Sequence, residues 1–238
     1  MITYDLYLES GPQKKTTLVH VIDLLGCVAN GKTTDEALAA TPAAIRAYLA
    51  YLKRHDERDM DATGPFTTRV AKHITTGDFL GQGSPQAVYA PDRRPLTPRD
   101  LARFLRWLEW SRADLLSLVD GIPDGRLNAK PERGRSLVHI LKHIGEAEPQ
   151  YITSVLGRVK DLTAAGYAIY HERVDIRVGL RSERRALVDR LRLLTPEERR
   201  RVVRAPGRVR TIRRGLRRVL EHEWEHRREI AARLGRPA

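Results

Sequence analysis

Two short stretches carry paired histidines: His139-Ile-Leu-Lys-His143 and His222-Glu-Trp-Glu-His226. They hold four of the eight histidines in the chain. On a helix, side chains at i and i+4 are neighbours on one face. Imidazole is a common ligand for transition metals, and this spacing lets one helix supply two ligands. A divalent metal site is therefore the first chemistry the residues suggest. The string His222-Glu223-x-x-His226 also matches the zinc-protease motif literally. Such an enzyme needs a sheet edge to hold its peptide, and no strand pattern is apparent in this half of the chain. Glu223 is read instead as a capping or ion-pair partner, with a general-base role as the alternative.

The elements that must position these histidines are helical. Thr97-Pro98 is a cap followed by proline in the first turn. Leu101, Phe104, Leu105, Leu108, Leu115, Leu116 and Val119 then recur at helical spacing. Gly121-Ile122-Pro123-Asp124-Gly125 stops that helix. Ser136 can cap a second, Ser182 to Leu194 is a third, and Thr211 to Leu234 is the last. Thr195-Pro196-Glu197-Glu198 is a further cap. On the last helix Val219, His222, His226 and Ile230 form an inward stripe, and on the second His143 lies beside Ile140 and Ala147. Four main helices predict a helix bundle over residues 97–238, with buried imidazoles on facing helices.

Residues 1–55 have another texture. Ile2, Tyr4, Leu6 and Leu8 alternate with polar neighbours, a period-2 strand. Gly11 to Lys15 predicts a turn and Thr17 to Ile22 a second strand, making a hairpin. Cys27-Val28-Ala29 is a short third strand. Thr33 caps a helix with Glu36 three residues on, and Pro42 predicts a kink or split near Thr41. Residues 56–96 begin with a charged run and are punctuated by Gly77, Gly81, Gly83, Pro85, Pro91 and Pro95; they predict a partly ordered linker. The expected fold is mainly α, with a small α+β N-terminal domain.

Composition narrows the class. The 238 residues are 41% apolar and 31% charged, as in soluble globular proteins. No run approaches the length of a membrane span, and the first residues do not have the pattern of a signal peptide. A single cysteine, Cys27, excludes an intrachain disulfide and suits a reducing compartment. The expected location is the cytoplasm. The net charge is +13, and Arg181 to Arg218 holds 15 arginines against four acids. That segment is read mainly as a solvated arginine face, because no aromatics are interleaved for stacking; anionic substrate or nucleic acid is the functional alternative.

Two resemblances follow from quoted motifs. Asp23-Leu24-Leu25-Gly26-Cys27, then Asn30-Gly31-Lys32-Thr33-Thr34-Asp35-Glu36-Ala37, is similar to the signature of HicB-like antitoxin domains, although Ile22 and Leu25 stand where prolines are usual. This implies a small sheet with a packed helix that binds a partner or dimerises. Leu141-Lys142-His143-Ile144 to Glu148 resembles the second-helix motif of the DinB-like superfamily, and Leu220-Glu221-His222 to Ile230 its last-helix motif. Asp114-Leu115-Leu116 through Ile122-Pro123 matches its first helix. That resemblance implies a four-helix bundle in which His143, His222 and His226 hold a divalent metal: zinc, nickel, iron or manganese. His139 has no counterpart in the motif. Arg228 and Glu229 replace the usual Gly-Gln after His226. The implied function is a metal-dependent transferase or hydrolase acting on a small substrate, anionic or linked to a low-molecular-weight thiol, in a homodimer. The alternative is a metal-stabilised interaction protein or a nucleic-acid-binding regulator.

Overall fold

A computed structural model describes residues 1–12, 16–57 and 64–237. The chain divides into two compact units. Met1–Arg94 with Val203–Val209 makes one, and Pro95–Val202 with Arg210–Ala238 the other.

The first unit is a sheet with one long helix. Strands β1 (Ile2–Ser10), β2 (Thr17–Val21) and β3 (Val28–Gly31) pair antiparallel in sequence, as the hairpin pattern predicts. Of the predicted turn, Gln13 to Lys15 lie outside the described residues. Tyr4, Leu6 and Leu8 of β1 are buried, because alternate side chains share one face of a strand. Helix α1 (Thr34–Arg54) packs on β2 and β3. Thr33 caps it by accepting from the Glu36 N–H, while the Glu36 carboxylate reaches back to Lys32 N–H at 2.9 Å. Pro42 does not split it; α1 runs through as one element. Tyr48, on its buried face, donates to the Leu25 carbonyl at 2.6 Å.

A fourth strand lies inside the stretch read from sequence as linker. β4 (Phe66–Ile74) pairs parallel with β1, giving the order β3-β2-β1-β4. Thr67 to Lys72 are all exposed. An edge strand that buries neither face carries no apolar alternation, so periodicity could not show it. Of the charged run that precedes it, Arg58 and Asp59 lie outside the described residues.

The second unit is built from helices. α2 (Pro98–Val119) packs on α6 (Ile176–Arg192) and α8 (Ile212–Leu234); α4 (Leu137–Leu156) packs on α5 (Lys160–Tyr170), α6 and α8. The short helices α3 (Asp124–Asn128) and α7 (Pro196–Arg200) lie between longer ones. Thr97, Ser136 and Thr195 cap α2, α4 and α7 through their side chains, as predicted, and Thr211, read as the start of the last helix, caps α8. Several elements go beyond the sequence reading, among them α3, which lies where only a helix stop was expected. α5 is an additional helix, and α6 starts six residues early, capped by Asp175. Strands β5 (Val202–Ala205) and β6 (Arg208–Thr211) form a hairpin in the half of the sequence where no strand was apparent, and its Val203–Val209 belong to the first unit. Its signal was Pro206-Gly207 between two β-branched runs; Gly207 supplies the positive φ of 66°.

Leu115, Val119, Ile140, Ile144, Leu180 and Ile230 belong to the apolar core of this unit. No helix among the described residues is long and apolar enough to cross a membrane.

Candidate metal centre

The two helices that carry the paired histidines face each other. α8 lies so close to α4 that a Cβ on Gly215 would stand 2.8 Å from the Tyr151 carbonyl oxygen. Only glycine permits that approach. About two turns further along each helix the histidines meet. His143 Nε2 and His222 Nε2 are 3.0 Å apart. Ring centroids are 4.7 Å apart for His143 and His222, 5.1 Å for His143 and His226, and 4.6 Å for His222 and His226. One nitrogen from each residue lies within 4.8 Å of the others. The structure thus brings together His143, His222 and His226. His139, one turn before His143, is exposed and outside the cluster.

Burial sets the protonation of these rings. His222 is 9% exposed, and desolvation holds its pKa well below the usual imidazole range. His143 is pushed down to about 4, by burial first and then by the charges of His226, Arg135 and His139. His226 is lowered too, by burial, against the opposing pull of Glu229. All three are neutral at physiological pH, the ligand form of histidine. His226 Nδ1 is 2.9 Å from Glu229 Oε2. A carboxylate only accepts, so Nδ1 carries the proton and Nε2 keeps its lone pair. A carboxylate on the far nitrogen orients a ligating histidine in this way. Glu229 is thus the residue whose value the sequence comparison with a Gly-Gln motif concealed; its i,i+3 spacing from His226 was the available signal.

The donor set fits a divalent ion. The Nε2 atoms of His143 and His222 face each other at 3.0 Å, a separation that a proton on one of them or a metal ion bound by both accommodates. Metal–nitrogen bonds of roughly 2.0–2.1 Å place neighbouring ligand nitrogens about 3 Å apart. Beside the cluster, Tyr151 meets the His222 ring edge-on at 6.2 Å, and the buried Arg218 guanidinium lies 5.8 Å over Tyr151. His143 and His226 are half-buried, so the cluster is open on their side.

Glu223 does not join the histidines. Its Oε2 accepts from Arg112 Nε at 2.7 Å and from Arg184 at 2.9 Å. Glu148 completes the network: its Oε2 takes Arg112 at 2.5 Å and Arg184 at 2.8 Å. Arg112 comes from α2, Glu148 from α4, Arg184 from α6 and Glu223 from α8, and all four are buried. Glu183 of α6, fully buried, lies 3.8 Å from Arg112. Burial and the neighbouring Glu148 raise its pKa well above the usual carboxylate range, so it stays neutral. Two guanidinium charges then balance the two carboxylates of Glu148 and Glu223. The general-base alternative for Glu223 gives way to ion pairing. Part of the arginine-rich segment is likewise interior: Arg184, Arg214, Arg217 and Arg218 are each under 9% exposed. Arg217 and Arg218 both bind Glu221, at 3.0 and 2.8 Å. Composition could not separate these from the solvated arginines.

The DinB superfamily matches residues 107–230, which run from α2 to α8 and include all three clustered histidines. In the N-terminal part, 41 residues are 49% identical to UPF0150 protein Ta0767 of Thermoplasma acidophilum. That stretch covers 17% of this chain and 59% of the relative, so the chain spans about three-fifths of the relative's length. No solved structure matches the chain. Because the family match runs over more than half of its residues, the chain belongs to the DinB superfamily.

Proposed function

We propose that α2, α4, α6 and α8 act as a four-helix bundle whose His143, His222 and His226 hold one divalent transition-metal ion, and that this centre serves a transferase or hydrolase reaction on a small substrate. The observation that carries the reading is the convergence of three neutral imidazoles, two with Nε2 atoms 3.0 Å apart, on facing helices. When bound, such an ion supplies Lewis acidity at a site with open positions, because three protein ligands leave at least one free. The chain's own part is positioning. Burial keeps His222 and His143 deprotonated and ready to bind. Glu229 fixes the tautomer of His226. The Arg112–Glu148–Arg184–Glu223 network ties the four helices together and commits both carboxylates to buried ion pairs.

The test is metal content by mass spectrometry, with circular dichroism, on the wild type and on His226→Ala. The expected result is near-stoichiometric metal in the wild type, none in the variant, and the same helical signal in both. A variant that loses metal and unfolds at room temperature assigns the ion a structural role. The second reading would then apply: a metal-stabilised interaction protein whose sheet unit, similar to UPF0150 protein Ta0767, binds a partner. A wild type that binds no divalent ion removes both.

A further inference from the structure

An open, concave pocket of about 470 Å³ lies in the helical unit, lined by residues around the start of α4 and the end of α8. Its walls include Arg126 on α3, Lys130 and Arg133 on the loop before α4, Arg135 beside the α4 cap, and Arg233 in the last turn of α8. No acid lines it. We propose that this basic cavity is an anion site, and that it docks the phosphate or carboxylate groups of the substrate next to the metal centre.

Three observations carry this. The first is uncompensated charge. Arg135 and Arg233 share Glu229, at 3.9 and 2.6 Å. No ion pair engages the side chains of Arg126, Lys130 or Arg133 among the described residues. Glu132 stands on the same loop but is not part of the wall. Like charges gathered around a concave surface repel one another and raise the local positive potential, which an anion relieves. The second is shape. A concave site lets several cations reach one ligand at once, whereas the arginines of an exposed helix face diverge. The N-terminus of α4 opens at the same place with no acid in its first turn, so its dipole adds to the field. The third is position. Arg135 is one carboxylate away from His226, through Glu229. Glu229 links the basic wall to the histidines, so the anionic end of the substrate sits on the Arg135 side of that carboxylate. The role as a substrate site rests on the metal reading; the binding of an anion does not.

Titration calorimetry separates the two. Inorganic pyrophosphate and succinate are titrated into chelator-treated protein, so that neither probe can bind through a metal. The expected result is one saturable site for at least one of the probes, and which of them binds decides between phosphate and carboxylate chemistry. Lys130→Gln/Arg133→Gln weakens that site by roughly tenfold or more, since each charged hydrogen-bond donor adds substantially to anion affinity. Both residues are exposed, so the variant keeps its fold. The control is Arg158→Gln/Lys160→Gln, an equal loss of charge at the other end of α4. It leaves the affinity unchanged. No saturable binding by the wild type overturns the proposal, as does equal weakening in the control. A protein that binds the anion but takes up no divalent ion keeps this site and loses the metal reading.

Discussion

His143, His222 and His226 are neutral in the fold because each is buried or half-buried first, and lies beside the other imidazoles and the guanidinium of Arg135 second. An unfolded chain titrates its imidazoles near 6.5. Each folded-state pKa is lower, so between the two values the unfolded chain binds more protons. Stability contributed by these groups is present above about pH 6.5 and is lost as the pH falls toward about 4. We expect the thermal midpoint of the metal-free protein to fall between about pH 7 and about pH 5, and His222→Gln to flatten that slope. Differential scanning calorimetry over the window decides it; a wild-type midpoint that stays level refutes the assignment. Added metal displaces protons from these nitrogens at low pH and should steepen the dependence.

At the scale of elements, the site depends on how closely α4 and α8 approach. The Cβ of Gly215→Ala would meet the Tyr151 carbonyl oxygen at 2.8 Å, and backbone cannot turn aside as a side chain can. The helices must separate, at a cost of about 1–3 kcal/mol. The same shift moves His143 away from His222, so metal affinity should fall together with the thermal midpoint. An alanine variant with wild-type metal affinity would show that the spacing is not what forms the site. The buried ion network gives a second contrast between helices. Glu223→Gln leaves Arg112 and Arg184 short of a counter-charge in the interior and should cost about 3–5 kcal/mol in denaturant unfolding. Glu183→Gln should cost much less. Glu183 is held neutral in the fold but ionises when unfolded above about pH 4.5, so its titration opposes folding at neutral pH, and an amide removes that term. If the two variants are equally destabilised, Glu183 is charged.

At the scale of the molecule, the chain divides into two compact units, and the histidines belong to the helical one. Metal binding stabilises only the part that it binds. Hydrogen exchange with and without added metal should therefore show greater protection in α4 and α8 and none in β1 to β3. Protection spread evenly over both units would mean that they unfold as one.

Much of this arrangement was legible in the sequence. The period-2 run of Ile2 to Leu8, the caps Thr33, Thr97, Ser136 and Thr195, and the stripe of Val219, His222, His226 and Ile230 are local patterns, and local patterns survive in the linear chain. The i,i+4 histidine pairs named the candidate residues for the same reason. Tertiary structure decided the rest. The helical spacing alone allowed either His139 or His143; the family motif singled out His143, and the fold brings that turn of α4 to α8. It turned Glu223 away from the histidines, since its partners Arg112 and Arg184 lie 111 and 39 residues away. It hid β4, whose exposed faces leave no pattern, and gathered Arg126, Lys130, Arg133, Arg135 and Arg233 around one cavity. Composition fixes how much charge a chain carries. Only folding decides which charges are paired in the interior and which are left facing a ligand.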